Sequence, residues 1–242
     1  MATTTNPQFT REEVGLALRN PGMPLEALRR PLTPAGMHYV LVHFDIPDID
    51  AARYELRVDG RVREHLSLTL EGLHARPAVT RPVMMECAGS GRARLAPRPI
   101  SAPWHDEAIG CAAWTGTPLR GVLEQAGLLD DAVEIVFTGH DRGLDQGVEQ
   151  DYQRSLSIEE ALRDDVVLAY AMNGEALPAQ HGFPLRLLVP DCYDMASVKW
   201  LRSVTAVAAD AAGDTQPLDA GDPWNQGGYG VNAVQRVAVR VR

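Results

Sequence analysis

Apolar positions along this chain fall mostly in short runs, and many alternate with polar ones. Tyr54, Leu56 and Val58 alternate with charged residues, Asp59-Gly60 turns the chain and Val62 resumes, which predicts a hairpin. Residues 83–87, 133–138, 166–172, 184–190 and 198–208 read as strands, and Asn173-Gly174 closes the third of them. Residues 37–46 form a strand or extended segment, with His38 and His43 embedded and Pro47-Asp48 ending it. A helical period replaces the alternation in a few places. Thr10 and Glu13 make a capping box, Val14, Ala17 and Leu18 share one face, and Asn20-Pro21-Gly22 stops the helix. Thr117 as N-cap and Pro118 at the first helical position open a second helix, with Leu119, Val122, Leu123 and Ala126 on one face and Gly127 as the stop. Ser157 and Glu160 form another capping box for a short helix to Arg163, and residues 67–73 predict a further short helix.

Loops separate these elements. Residues 21–34 carry four prolines and read as an extended arm. Residues 96–103 are proline-rich, 139–150 polar and acidic, and 209–230 loop-rich; Val237, Val239 and Val241 then predict a final strand. Strands and helices mix without a βαβ rhythm, so the expected fold class is α+β with mixed β-sheets and interspersed helices. The expected organisation is a helix and arm over residues 1–36 on one large domain over 37–242.

Composition changes this picture only by exclusion. The 242 residues are 45% hydrophobic and 23% charged, which suits a packed globular chain. A net charge of −9 argues against a nucleic-acid partner, which needs a basic surface. No run approaches a membrane span and the first ten residues lack an apolar signal core, so no membrane partner and a cytoplasmic location are expected. Cys87, Cys111 and Cys192 are odd in number and far apart, which fits a reducing compartment.

The candidate chemistry centres on Cys87. The apolar run 83–86 delivers this thiol to Ala88-Gly89-Ser90-Gly91, a loop that can approach a ligand closely, with Arg92 and Arg94 following. Such a thiol is a soft metal ligand, a nucleophile or a small buried hydrophobe. No H-x-x-x-H, H-E-x-x-H, G-K-[ST] or G-x-G-x-x-G occurs, which leaves helix-borne zinc, P-loop and Rossmann readings unsupported. Arg186 and Lys199 each sit in an apolar stretch, which suggests a buried anion or, alternatively, an internal ion pair with a carboxylate. The Tyr152 hydroxyl could donate to a reacting oxygen.

Four blocks in order resemble the sulfite oxidase family of molybdenum enzymes. Cys87-Ala88-Gly89 with Arg92 is similar to its C-A-G-N-R-R segment. Trp104, Ala108-Ile109, Ala112, Trp114 and Gly116 follow its W-x-x-x-A-I-x-x-A-x-W-x-G pattern. Ala169-Tyr170, Met172-Asn173-Gly174, Leu177-Pro178 and His181-Gly182-Phe183-Pro184-Leu185-Arg186 resemble its A-Y-x-M-N-G stretch and the H-G-F-P that follows, and Val198-Lys199-Trp200-Leu201 matches its V-K-W-L. The resemblance implies a sulfite-oxidase-type molybdopterin-binding fold and a molybdenum–molybdopterin cofactor, with no heme. Cys87 would be the metal ligand; His43, Arg92, Asp141, His181, Arg186, Ser197 and Lys199 would hold the pterin and its phosphate; Tyr152 would stand beside the reactive oxygen. It further implies oxygen-atom transfer on a small-molecule substrate, an external electron carrier (a heme protein or flavoprotein), a monomer or homodimer, and a chain that ends before the family's C-terminal dimerisation domain. Two family arginines that grip sulfite fall on Leu41 and Ala196 here, which points to a sulfoxide or other oxo compound instead. A non-catalytic cofactor- or anion-binding module on the same fold and a Cys87 hydrolase are the alternatives.

Overall fold

The structure is a computed structural model that describes residues 9–97, 100–145 and 148–209. Its regular elements are α1 (Arg11–Arg19), β1 (Glu55–Gly60), β2 (Leu66–Thr69), α2 (Leu70–His74), β3 (Val79–Glu86), β4 (Ile109–Pro118) and α3 (Leu119–Ala126). The second half adds β5 (Ala132–Asp145), β6 (Val148–Ser157), α4 (Ile158–Ala161), β7 (Val167–Met172), β8 (Glu175–Ala176), β9 (Arg186–Leu188) and β10 (Leu201–Ala208). Short 3₁₀ turns join several of them.

Two sheets result. One runs β2-β1-β10-β5-β6, with β1 parallel to β10 and its other pairs antiparallel. The other runs β3-β4-β7-β8, with β9 also pairing to β7. This is the mixed-sheet α+β arrangement that the sequence predicts. The larger core fills the space between them. Leu56 and Val58 of β1, Ile135 and Phe137 of β5, Leu187 of β9 and Val204 of β10 meet Leu119, Val122, Leu123 and Ala126 of α3 there. Burying each large aliphatic group contributes about 1.5–3 kcal/mol, which fixes α3 against the sheets. A second core gathers Met85, Ala112, Trp114, Ala169 and Leu188 under the N-terminal arm, whose Tyr39 packs into it.

Several expectations shift, each for a physical reason. The hairpin forms between β1 and β2, but its turn follows Gly60: Val58 pairs with Leu66, and Asp59-Gly60 stays in β1 against Thr205 and Ala206. Sheet pairing with β10 overrides the local turn signal. The predicted helix at 67–73 splits, with Ser67 to Thr69 in β2 and Thr69 capping α2 through its side chain. Thr117 belongs to β4, so Pro118 takes the N-cap of α3 and no side chain caps that helix. The arm over 21–34 contains a 3₁₀ turn at Leu25–Arg29, and residues 37–46 pair in no sheet. In α1 the capping box forms, but Val14 and Leu18 face solvent while Glu13 is buried. The largest revision concerns 139–150, expected as a loop. Most of it is the paired stem of the β5–β6 hairpin, and Tyr152 lies within β6 rather than between a loop and a cap. The final strand at Val237, Val239 and Val241, and all but the first residue of the loop before it, lie outside the described residues.

Candidate active site

Cys87 stands one residue past the end of β3. Its N–H donates to the Ala108 carbonyl at 2.9 Å, its own carbonyl accepts from Ser90 N–H at 2.9 Å, and its sulfur accepts from Gly89 N–H at 3.3 Å. The backbone thus fixes the thiol at the mouth of a tight turn. A side chain on Gly89 would meet the Arg92 guanidinium at 2.9 Å, so glycine is what lets Arg92 fold back over the loop. Arg92 is held there by donating to the Ser101 hydroxyl. Burial pushes the Cys87 thiol up, and the Gly89 N–H only partly offsets it. A buried, neutral thiol is a poor free nucleophile, which weighs against the hydrolase alternative.

Near this loop lies a small cleft. Leu41 and His43, Asp141 of β5, Tyr152 of β6, and Asp194, Met195, Ser197, Lys199 and Trp200 before β10 line it. A register shift between Thr138 and Arg142 breaks the β5–β6 ladder at Asp141. There the Gly139 backbone leaves room for the Asp141 carboxylate, which a side chain at 139 would overlap at 2.2 Å. Burial lifts the Asp141 carboxyl to about 6 against the pull of Lys199. Tyr152 donates to the Met195 carbonyl at 3.0 Å and packs against the His43 ring in a tilted pair, with ring centroids 4.8 Å apart. Burial pushes its phenol up to about 12 and brings His43 down to about 3, so both are neutral near pH 7. Lys199 does not lie in a strand. It precedes β10, donates to the Leu41 and Gln180 carbonyls at 2.7 and 3.0 Å, and sits 4.2 Å over the Trp200 ring. Burial, with Arg186 nearby, lowers its ammonium to about 7.

Behind the cleft runs a buried charged chain. Arg186, 2% exposed on β9, donates to Asp194 at 2.9 Å and to the Ser197 and His181 carbonyls at 2.9 and 3.2 Å. Its guanidinium lies 4.9 Å from the Trp114 ring centre. Asp194 also accepts from the Tyr39 hydroxyl at 2.7 Å. Burial would raise the Asp194 carboxyl, but Arg186, the Tyr39 hydroxyl and Lys199 outweigh it and hold it below the usual range. His181 faces His38, with ring centroids 5.3 Å apart, and contacts the Ala35 carbonyl through Nε2 at 3.2 Å. Burial brings His181 down to about 3, with His38 and Arg186 adding. The two buried cations therefore divide. Arg186 has its internal ion pair, whereas Lys199 makes no ion pair among the described residues.

Buried polar atoms around this site that lack a hydrogen-bond partner among the described residues include Asp141 Oδ1, an acceptor, Arg186 Nε and Arg154 Nε, both donors, and His38 Nε2. Buried polar groups are rarely left so. No three His, Cys, Asp or Glu side chains of the described residues converge as a metal site. A metal here would take the single Cys87 thiolate from the chain and its other donors from a larger cofactor carrying hydrogen-bonding groups and negative charge. The residues fit such a group.

The family described as the oxidoreductase molybdopterin binding domain matches residues 43–214. The chain belongs to the sulfite oxidase family of molybdopterin oxidoreductases. It is 37% identical to the sulfite oxidase of Gallus gallus over 216 residues, covering 85% of this chain and 44% of that protein. It is 33% identical to an NADH nitrate reductase of Hordeum vulgare over 188 residues, 74% of this chain and 20% of that one. The chain thus spans less than half the length of these relatives. The crystal structure of the sulfane dehydrogenase SoxCD from Paracoccus pantotrophus shares the fold, with a TM-score of 0.66, 23% identity, and coverage of 89% of this chain and 61% of that one.

Of the residues singled out from sequence, His43, Asp141, Tyr152, Ser197 and Lys199 line or border one cleft, with His181 and Arg186 beneath it. Cys87 and Arg92 occupy a separate loop beside it, close enough for Cys87 to act on the Tyr152 phenol and Arg92 on His43. Sequence reasoning missed Asp194, Tyr39 and Arg154. A signal existed for Asp194, because the buried cations called for a carboxylate and it lies between their two stretches. Arg154 follows Tyr152 by two residues, which places both on one face of a strand. Reading the preceding segment as a loop hid that face.

Proposed function

We propose that this chain is the cofactor domain of an oxidoreductase that reduces a small, uncharged S–O or N–O compound, with a sulfoxide as the type substrate. The observation that carries this reading is the wall of the cleft, where Leu41 is apolar and Asp194 adds a carboxylate; Ala196, the other position where the family carries an arginine, is buried outside the lining. Full anions are poorly served by such a wall, because bidentate recognition needs guanidinium donors in direct contact. Cys87 would bind the metal; Lys199, Arg186, His181, Ser197, Asp141, His43 and Arg92 would hold the pterin and phosphate. When bound, the molybdenum cofactor would supply two-electron redox chemistry and oxygen-atom exchange. In the net reaction the oxide gains two electrons and two protons and releases its oxygen as water, the electrons coming from an external heme protein or flavoprotein. The Tyr152 hydroxyl donates to the Met195 carbonyl until a substrate oxygen competes for it, and neutral His43 packs against the ring. The three free cysteines support a reducing compartment, the cytoplasm.

The test is turnover by the molybdenum-loaded protein with an artificial electron donor or acceptor. Sulfoxides and N-oxides should be reduced efficiently and sulfite oxidised poorly. Efficient sulfite oxidation at low micromolar concentration would overturn the substrate assignment, and absence of molybdenum after expression in a cofactor-competent host would favour a non-catalytic binding module.

A further inference from the structure

Arg154 is a buried cation with no ion pair among the described residues; Asp141 is a carboxylate it acts on without contact. Arg154 is 5% exposed, and its Nε has no hydrogen-bond partner among the described residues. Among the described residues the guanidinium makes one hydrogen bond, from Nη1 to the carbonyl of the adjacent Gln153. Its guanidinium carbon lies 4.2 Å from the centre of the Tyr152 ring. Burying a charge without a counter-ion costs several kcal/mol in protein interiors. A cation–π contact returns on the order of 2 kcal/mol at a desolvated site. The position therefore costs stability, and such costs concentrate where function requires them.

We propose that Arg154 is a positioning residue for the reaction: lying over the Tyr152 ring, it holds the phenol at the cleft and supplies the positive field that polarises an S–O or N–O oxygen brought there. The guanidinium acts through the ring and does not line the cleft, so it favours partial negative charge on oxygen over a full anion that needs direct donors. Tyr152 sits among His43 from the arm, Asp141 from β5, Asp194 from the loop before β10 and Cys87 from the β3 loop; Arg154 opposes the acidic members of that set. This inference rests on Tyr152 acting as the proton donor to the substrate oxygen.

The experiment compares Arg154→Met, Arg154→Lys and Tyr152→Phe in the molybdenum-loaded full chain. Arg154→Met should lower kcat about tenfold with KM within about threefold, because a unit charge within a few ångströms shifts a neighbour's proton affinity by about one unit or more. It should melt at the wild-type temperature or above, since an unpaired buried charge has been removed. Arg154→Lys should restore most of kcat. With 3,5-difluorotyrosine placed at position 152, fluorine NMR should show the phenol titrating about one unit higher in Arg154→Met than in the wild type. A purely structural arginine predicts the reverse pattern, loss of melting temperature and kcat together without rescue by lysine, and that result overturns the proposal. An unchanged fluorophenol titration overturns it as well. If Tyr152→Phe keeps full turnover, the proton-donor reading falls with it; if Tyr152→Phe is inactive while Arg154→Met is unaffected, only the role of Arg154 falls.

Discussion

Asp194→Asn tests the buried charged chain that supports the cleft. The amide keeps the shape of the carboxylate and can still accept from the Tyr39 hydroxyl, but it leaves Arg186 without its ion-pair partner. Arg186 is 2% exposed and the Asp194 side chain 15%, so solvent screens the pair weakly. Removing one partner of a buried pair costs about 3–5 kcal/mol, most of it the uncompensated charge left behind. At about 2–4 °C per kcal/mol for a chain of this size, calorimetry of cofactor-free protein should show a melting temperature lower by ~6–20 °C. The pH dependence adds a check on sign. The carboxyl titrates lower in the folded protein than unfolded, so its contribution is present above the ordinary carboxylate range near pH ~4 and is lost as pH falls through the folded value. The wild type should lose that increment on acidification and the variant should not. Inorganic phosphate should recover part of the lost melting temperature in the variant, because the freed guanidinium then gains an anion. A melting temperature within about 2 °C of the wild type would show that Asp194 and Arg186 are not energetically coupled, and the account of the chain beneath the cleft would be wrong.

Three further outcomes follow from the site. Asp141 titrates near 6 when folded, above its unfolded value, so its ionisation opposes folding increasingly from pH ~4 upward and fully above 6. Asp141→Asn should therefore raise the melting temperature of cofactor-free protein at pH ~7.5 and give no gain at pH ~4, while weakening cofactor retention, measured as molybdenum per chain; equal stability at both pH values would contradict the buried-carboxylate account. Cys87→Ser should remove molybdenum and turnover with a melting temperature within ~3 °C of the cofactor-free wild type, since one atom changes in a hydrogen-bonded loop; full metal content would refute Cys87 as the ligand. Leu41→Arg adds a guanidinium at the cleft wall and should lower the sulfite KM about tenfold, read by steady-state kinetics, whereas Ala196→Arg should destabilise by at least ~1–3 kcal/mol because Ala196 is 1% exposed. An unchanged sulfite KM in Leu41→Arg would remove the argument from the wall.

What the sequence made legible is what local chemistry controls. The capping boxes at Thr10 and Ser157, the Asn173-Gly174 turn and the thiol at the end of β3 are each set by a few adjacent residues, and each forms where the pattern places it. The largest error has a cause in pairing. Residues 139–150 lack an apolar alternation because, among the described residues, β6 pairs only with β5 at the edge of its sheet, so partner strand and bulge carry the information rather than local hydrophobicity. That single misreading hid the most consequential geometry. Once residues 148–157 are a strand, Tyr152 and Arg154 share a face, and the guanidinium lies over the ring. The same logic governs Arg186. Sequence showed that a buried cation needs an anion, but two anions satisfy that need: the Asp194 carboxylate, which is present, and a cofactor phosphate. The unpartnered Nε leaves room for both. An arginine with five N–H donors can hold a carboxylate through one nitrogen while keeping another edge for a phosphate. On that view the ion pair does not compete with the cofactor. It pre-orients the guanidinium, so that binding need not meet the entropy of ordering a long side chain in the same step.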